Sequence, residues 1–307
     1  MGDLLRMLLT LVRLVKALLL AIPVLLRVAF STLAERKLLG LVGLRFSPRK
    51  VSIGGFLQPL GDAGKLSSKQ ANVLSNFRSF FYYFSRFFLL TGSLALWRRF
   101  CWGRSSCVSL KFSFLLIFMV LSLGSLCTIL AGWRTFSKFS LIGRVRTVSQ
   151  LISYESSLYL CVISLIFSMS SFRFYGFFFL PLFMSFIVLV PFFCAWVPSF
   201  LAELNRTPFD FSEGERELVR GFNTEFGSSG FTLLFLAEYS NILFFSILTS
   251  MMFFFGNLLV FFFLSISFVF WVRSVLPRIR FDKLMRLAWT FFIPFLTLVF
   301  SCLVLTI

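Results

Sequence analysis

A chain of 307 residues that is 58% hydrophobic and 14% charged, with a mean hydropathy of +0.92, is far more apolar than a soluble domain, which runs at roughly 45–50% apolar and about 25% charged. Its net charge of +18 comes from 30 Lys and Arg against 12 Asp and Glu. The basic residues are scattered over many short loops, which argues against a nucleic-acid-binding domain and for a membrane surface.

The absence of histidine and of any CxxC pair among the cysteines at 101, 107, 127, 161, 194 and 302 leaves no metal site to expect. Cys101 and Cys107 share a loop and could bridge. No glycine-rich phosphate loop follows a strand, so no cofactor is expected to be bound by this chain itself.

A membrane-spanning helix needs about 20 apolar residues, and runs of that kind fall at 10–34, 76–97, 112–133, 147–171, 176–201, 231–252, 254–275 and 286–306. They are too long for barrel strands, and in lipid each segment must satisfy its own backbone. The expected fold is therefore all-α, a polytopic membrane protein of about eight helices in a single transmembrane domain spanning 1–307.

In chain order, Arg6, Arg13 and Lys16 share one helix face, the pattern of an interfacial amphipathic lead over 1–16. Arg27 lies deeper in the first run and should face protein or snorkel. The first inner loop, 35–72, mixes charge, glycine and apolar side chains, as functional loops do. Within it Gly61-Asp62-Ala63-Gly64-Lys65-Leu66 reads as a short helix along the membrane surface. Trp97-Arg98-Arg99-Phe100-Cys101-Trp102-Gly103-Arg104 reads as an aromatic belt with phospholipid-facing arginines. Arg144-Val145-Arg146 precedes the fourth run, and Glu155 falls within its first turns. A glutamate there is a functional candidate, because an ionisable group in lipid must be neutral, paired or working.

Residues 202–230 form the acidic centre. Ala202 to Phe226 hold half of the 12 acidic residues of the chain, between two apolar runs. Thr207-Pro208-Phe209-Asp210 should break the fifth helix, since a residue before proline avoids the α region, and Ser212-x-x-Glu215 reads as a capping box opening a short helix. On that helix Glu213 and Glu217 share a face, with Arg216 and Arg220 close enough to pair. The alternative is a plain solvated acidic face. Glu238 follows inside the sixth run, and with Glu155, Glu203 and Glu225 it makes a set of carboxylates at membrane depth that could hand protons along.

These residues carry a resemblance to subunit 1 of the respiratory NADH:ubiquinone oxidoreductases (complex I). Ala202-Glu203-Leu204-Asn205-Arg206-Thr207-Pro208-Phe209-Asp210 and the continuation from Ser212 to Phe226 resemble the family's longest motif. Glu35-Arg36-Lys37, Leu39-Gly40, Arg45, Leu57-Gln58-Pro59, Asp62 and Lys65 resemble its first loop. Leu141-Ile142-Gly143 through Arg146 and Ser149-Gln150 to Glu155 resemble its fourth helix, and Trp271-Val272-Arg273 with Pro277 to Asp282 its seventh loop. Ser47-Pro48-Arg49, Gly61, Arg216 and the lead segment depart from the pattern, and Arg144 adds a charge to it.

The resemblance implies a quinone chamber floored by this subunit and a charged channel running from it toward proton pumps. Glu35, Arg36, Arg45, Gln58, Asp62, Lys65, Glu203, Arg206, Asp210, Glu213, Glu215, Glu217 and Glu225 would lie on the chamber side. Glu155 and Glu238 would continue the path within the bilayer, and Arg273, Arg278 and Arg280 would form a basic inner loop. It further implies ubiquinone as substrate, NADH, FMN and iron–sulfur clusters in partner subunits, and no catalysis by this chain alone. The expected partners are the other membrane subunits, the quinone-site subunits of the peripheral arm and the lipid bilayer. The expected location is the mitochondrial inner membrane, in keeping with 47 Phe and no His, a composition that suggests a thymine-rich gene. The homologous subunit of a membrane-bound hydrogenase is the nearest alternative. A secondary transporter is a more distant one, because it should show a second copy of the broken-helix motif.

Most of the Lys and Arg fall in the loops after the first, third, fifth and seventh runs, so the positive-inside rule turns those loops and the 203–225 stretch inward. Protease added outside sealed vesicles should leave that stretch uncut, and cleavage there would reverse the orientation.

Overall fold

A computed structural model of the chain describes residues 2–49, 51–69, 79–99, 113–133, 138–169, 186–210, 228–254 and 257–306. Among them there are helices and no strands. In order they are α1 (Gly2–Val42), a 3-10 turn (Ile53–Gly55), α2 (Gln58–Ser68), α3 (Ser79–Arg99), α4 (Ser113–Trp133), α5 (Lys138–Met169), α6 (Phe186–Glu203), α7 (Ser228–Phe253), α8 (Leu258–Val275), α9 (Phe281–Leu287), a π-helical turn (Ala288–Phe292) and α10 (Ile293–Thr306). Among the described residues, five stretches are long and apolar enough to cross a bilayer: Leu18–Val42, Leu141–Ser168, Gly230–Phe253, Leu258–Val275 and Phe281–Leu305. Phe84–Trp97, Phe114–Leu130 and Leu189–Glu203 are shorter apolar helices. The chain is thus an all-α polytopic membrane protein.

Two helices begin or end elsewhere than the hydropathy runs. α1 is unbroken from Gly2 to Val42, about 60 Å at 1.5 Å per residue, so the lead and the first run are one helix. It also takes in Glu35, Arg36 and Lys37, which the sequence reading put in the loop 35–72. Glu, Arg, Lys and Leu all favour helix, and the helix ends only beyond Val42, where Leu44 adopts φ 49° and the Arg45 N–H closes on the Gly40 carbonyl at 2.9 Å. Similarly, α5 starts at Lys138, so Arg144 and Arg146 lie in the helix rather than before it. Buried Gly143, Arg144, Thr147, Gln150, Leu151 and Tyr154 recur at the three- and four-residue spacing that gives a helix one inner face. Arg27 sits on the exposed side of α1. The expected short helix in the first loop is α2, which has Pro59 in its first turn, where a missing N–H costs nothing.

Helices α5 and α7 occupy the middle, each 61% buried along its apolar window, against 22% for the α8 span and 17% for the last. α7 packs on α1, α3 and α8, and α5 on α4, α6 and α10. Serines on these inner helices return their hydroxyls to their own backbone: Ser157, Ser164, Ser246 and Ser250 each donate to the carbonyl three residues back at 2.7–2.8 Å. A buried hydroxyl is thereby satisfied without a partner helix.

Three side chains fix helices to one another by hydrogen bonds between residues far apart in the chain. Trp97 Nε1 donates to the Ser240 carbonyl at 3.1 Å, joining α3 to α7. Tyr154 Oη donates to the Leu284 carbonyl at 3.0 Å, joining α5 to α9. Gln150 Nε2 donates to the Ala202 and Phe209 carbonyls, both at 2.9 Å. That amide holds both ends of the turn after α6 against α5.

Gln150→Leu keeps the volume but leaves those two carbonyls short of a donor, at about 1–3 kcal/mol for an unsatisfied buried group. The protein extracted in mild detergent should unfold at a clearly lower temperature, whereas Ser267→Ala should stay within about 0.5 kcal/mol. Equal melting of the two variants would contradict the role given to Gln150.

Candidate functional site

The expected break in α6 is present. The helix stops at Glu203, Asn205 takes φ 49°, a conformation asparagine tolerates, and the Phe209 N–H bonds the Arg206 carbonyl at 2.7 Å. The Ile279 N–H, in the segment after α8, reaches the Pro208 carbonyl at 3.1 Å. The turn is therefore held from α5 on one side and from the α8–α9 segment on the other, which fixes where Arg206 points.

Arg206 points at Glu35. Glu35 is 2% exposed, and its carboxylate gathers donors from three other elements. Arg206 Nη1 lies 3.3 Å from Oε1 and 3.5 Å from Oε2. Tyr239 Oη of α7 donates to Oε2 at 2.5 Å. Arg273 Nη1, in the last turn of α8, bonds Oε1. The Arg206 guanidinium also stacks over the Tyr239 ring at 4.4 Å, a favourable cation–π arrangement. Helices α6 and α8 end here, and their carbonyl ends favour cations, which helps two guanidiniums share one carboxylate. Arg273 is a helical partner of Glu35 and not a residue of the basic inner loop, as the sequence reading had placed it. Its last-turn position on an apolar helix had read as the start of the loop.

Around this cluster lie the residues of the first loop. Arg36 Nη1 pairs with Asp62 Oδ2 at 2.7 Å, both partly solvated, and Gln58 Nε2 donates to Asp62 Oδ1 at 3.1 Å. Asp62 thus ties α2 to the end of α1. Arg45 and Lys65 are exposed, as are Arg278 and Arg280, while Asp210 is half-buried.

Glu203 belongs to a different place. It lines a cavity of about 420 Å³ inside the bundle, walled by α3, α4, α5, α7 and the end of α6. Among the polar side chains at its wall are Glu203, Glu238, Arg144, Asn205 and Asn241. Glu155 is buried one turn beyond Leu151 of that wall, faces Ser125 and Tyr159, and is near enough to Glu203 for the two carboxyls to interact electrostatically. Among the described residues Glu203 Oε2 and Glu155 Oε1 are buried without a hydrogen-bond partner. The structure therefore groups Glu155, Glu203 and Glu238, and separates Glu203 from the Arg206 cluster only three residues on.

Glu213, Glu215, Glu217 and Glu225, with the expected capping-box helix, lie outside the described residues, as do Cys101, Cys107 and the loop from Phe100 to Arg104. Tyr239 and the Gln150 contacts were not singled out from the sequence. A tyrosine beside Glu238 in an apolar run was the available signal for the first, and nothing local signals the second.

The arrangement defines a class: a polytopic helical membrane protein with a buried ion cluster where two helices end against a third and a carboxylate-lined cavity within the bundle. The family model for NADH dehydrogenase matches residues 15–305. NADH-ubiquinone oxidoreductase chain 1 of Aedes aegypti is 47% identical over 292 residues, 92% of each chain. That of Apis mellifera ligustica is 41% identical over 283 residues, 90% of this chain and 92% of the other, and that of Strongylocentrotus purpuratus is 37% identical over 286. The chain belongs to the NADH dehydrogenase family, as a membrane subunit of that oxidoreductase complex.

Removing one member of a buried ion cluster strands the others, at about 3–5 kcal/mol, whereas a solvated pair is worth about 0–1 kcal/mol. Glu35→Gln should therefore sharply reduce the assembled complex seen on native gels, and Arg36→Met should leave it near normal. The reverse order would contradict the burial assigned to Glu35.

Proposed function

We propose that the chain forms the membrane-side wall of a quinone chamber in a proton-pumping NADH:ubiquinone oxidoreductase of the mitochondrial inner membrane, together with the first stretch of a charged path leading away from it. The observation that carries this reading is the turn from Glu203 to Asp210. At one end it puts a carboxyl into the intrabundle cavity, and three residues later it puts a guanidinium onto the buried Glu35. A change of charge beside Arg206 is thereby a change of field at Glu203, Glu155 and Glu238.

The chemistry has a use for such a link. Reducing a quinone to quinol takes up two electrons and two protons, so negative charge develops on the quinone oxygens before protonation completes. The electrons come from an iron–sulfur cluster in a peripheral-arm subunit, which in turn is fed through FMN from NADH. This chain supplies placement and electrostatics. Its described cluster has two guanidiniums against one carboxylate. Carboxyls in the bundle then exchange protons as that field changes. The partners are the remaining membrane subunits, the quinone-site subunits of the peripheral arm and ubiquinone. A nickel-containing hydrogenase module co-purifying in place of an NADH-oxidising flavoprotein would move the reading to the hydrogenase branch.

In the assembled complex, Glu203→Gln keeps size and hydrogen bonding but removes a titratable proton. Quinone reductase activity, proton stoichiometry or both should fall, by about tenfold if the barrier rises by ~1.4 kcal/mol, with assembly intact. A variant with normal turnover and normal proton stoichiometry would sink the path.

A further inference from the structure

Arg144 is 4% exposed on α5, within the apolar span Leu141–Ser168, and is part of the wall of the cavity that also holds Glu203 and Glu238. Its Nη1 donates to the Thr128 carbonyl of α4 at 2.8 Å. A guanidinium is charged at every accessible pH, and taking one out of water is costly unless opposite charge answers it. Among the described cavity-lining residues the two glutamates are the only acidic groups and Arg144 the only basic one. The other buried arginine of this region, Arg86 of α3, packs against Gly230 of α7 and is not among the lining residues.

We infer that Arg144 is a built-in countercharge of the intrabundle carboxylate cavity, a positioning residue that sets how much negative charge Glu203 and Glu238 carry together. The inference rests on the charged-path reading above. The sequence motif resembled by α5 lacks this charge, so the cavity of this chain has an electrostatic balance of its own. A guanidinium anchored on the α4 backbone cannot be withdrawn without breaking the α4–α5 link. It therefore acts as a fixed positive charge against which Glu203, Glu238 and the neighbouring Glu155, which is close enough to Glu203 to couple with it, titrate, and not as a carrier of protons.

Two substitutions separate charge from scaffolding. Arg144→Lys keeps the charge and shortens the fork, and Arg144→Gln keeps a donor for the Thr128 carbonyl and loses the charge. In the assembled complex, redox-induced infrared difference spectra report cavity carboxyls as the bands that vanish in Glu203→Gln or Glu238→Gln. The expected result is that Arg144→Gln shifts those bands and lowers proton-coupled quinone turnover several-fold, while Arg144→Lys stays close to the parent in both. Unchanged bands in Arg144→Gln overturn the inference, and so does Arg144→Lys behaving like Arg144→Gln or failing to assemble, since either would make the role one of packing. If Glu203→Gln and Glu238→Gln themselves leave turnover and stoichiometry unchanged, the path reading fails as well, an outcome distinct from a failure confined to Arg144.

Discussion

One carboxylate buried inside α1, where two other helices end against it, is what the rest of this structure depends on. Glu35 cannot stay charged at 2% exposure without the donors that reach it, and those donors come from the α6 turn, from α7 and from α8. Satisfying it therefore fixes the relative placement of four segments. Apolar burial does not have this property in a bilayer, where lipid is as good a neighbour as another leucine. Specific polar contacts have to set the register of the helices, and Gln150, Trp97 and Tyr154 repeat the same solution with backbone carbonyls as acceptors.

The same arrangement explains why two charged regions meet in so short a stretch. Between Glu203 and Arg206 the chain leaves a helix, turns at Asn205 and changes from the wall of an internal cavity to the face of an ion cluster. Gln150 and Ile279 clamp that turn by its backbone, so its side chains are free to be chosen for charge. The geometry suits a device that must convert a charge event in one place into a field change in another, with the turn as the rigid connection.

Helices and class were legible in the sequence because hydropathy is local: apolar runs of spanning length have one viable backbone form in lipid. Glu35, Arg206, Glu155 and Glu238 were legible as candidates because charge among apolar residues demands a reason. Which charges meet was not. The Glu35 partners are separated from it by 171, 204 and 238 positions, and no periodicity encodes such pairings. Arg273 was misplaced for a related reason: an arginine at the end of an apolar run reads equally as the last helical turn or the first loop residue, and only its contact with Glu35 decides. The length of α1 was underestimated because Glu35-Arg36-Lys37 look like loop residues by hydropathy and like helix formers by propensity, and propensity prevailed.

Quinone handling at the Glu35–Arg206 end of this chain, as proposed, is open to a direct test. Photolabelling of the intact complex with a light-activated quinone analogue, followed by peptide mapping, tests it directly. Label is expected on this chain within residues 35–65 and 203–225, displaced by excess quinone. Label confined to other subunits, or to the opposite end of the bundle at Phe254 and Leu258, would contradict it.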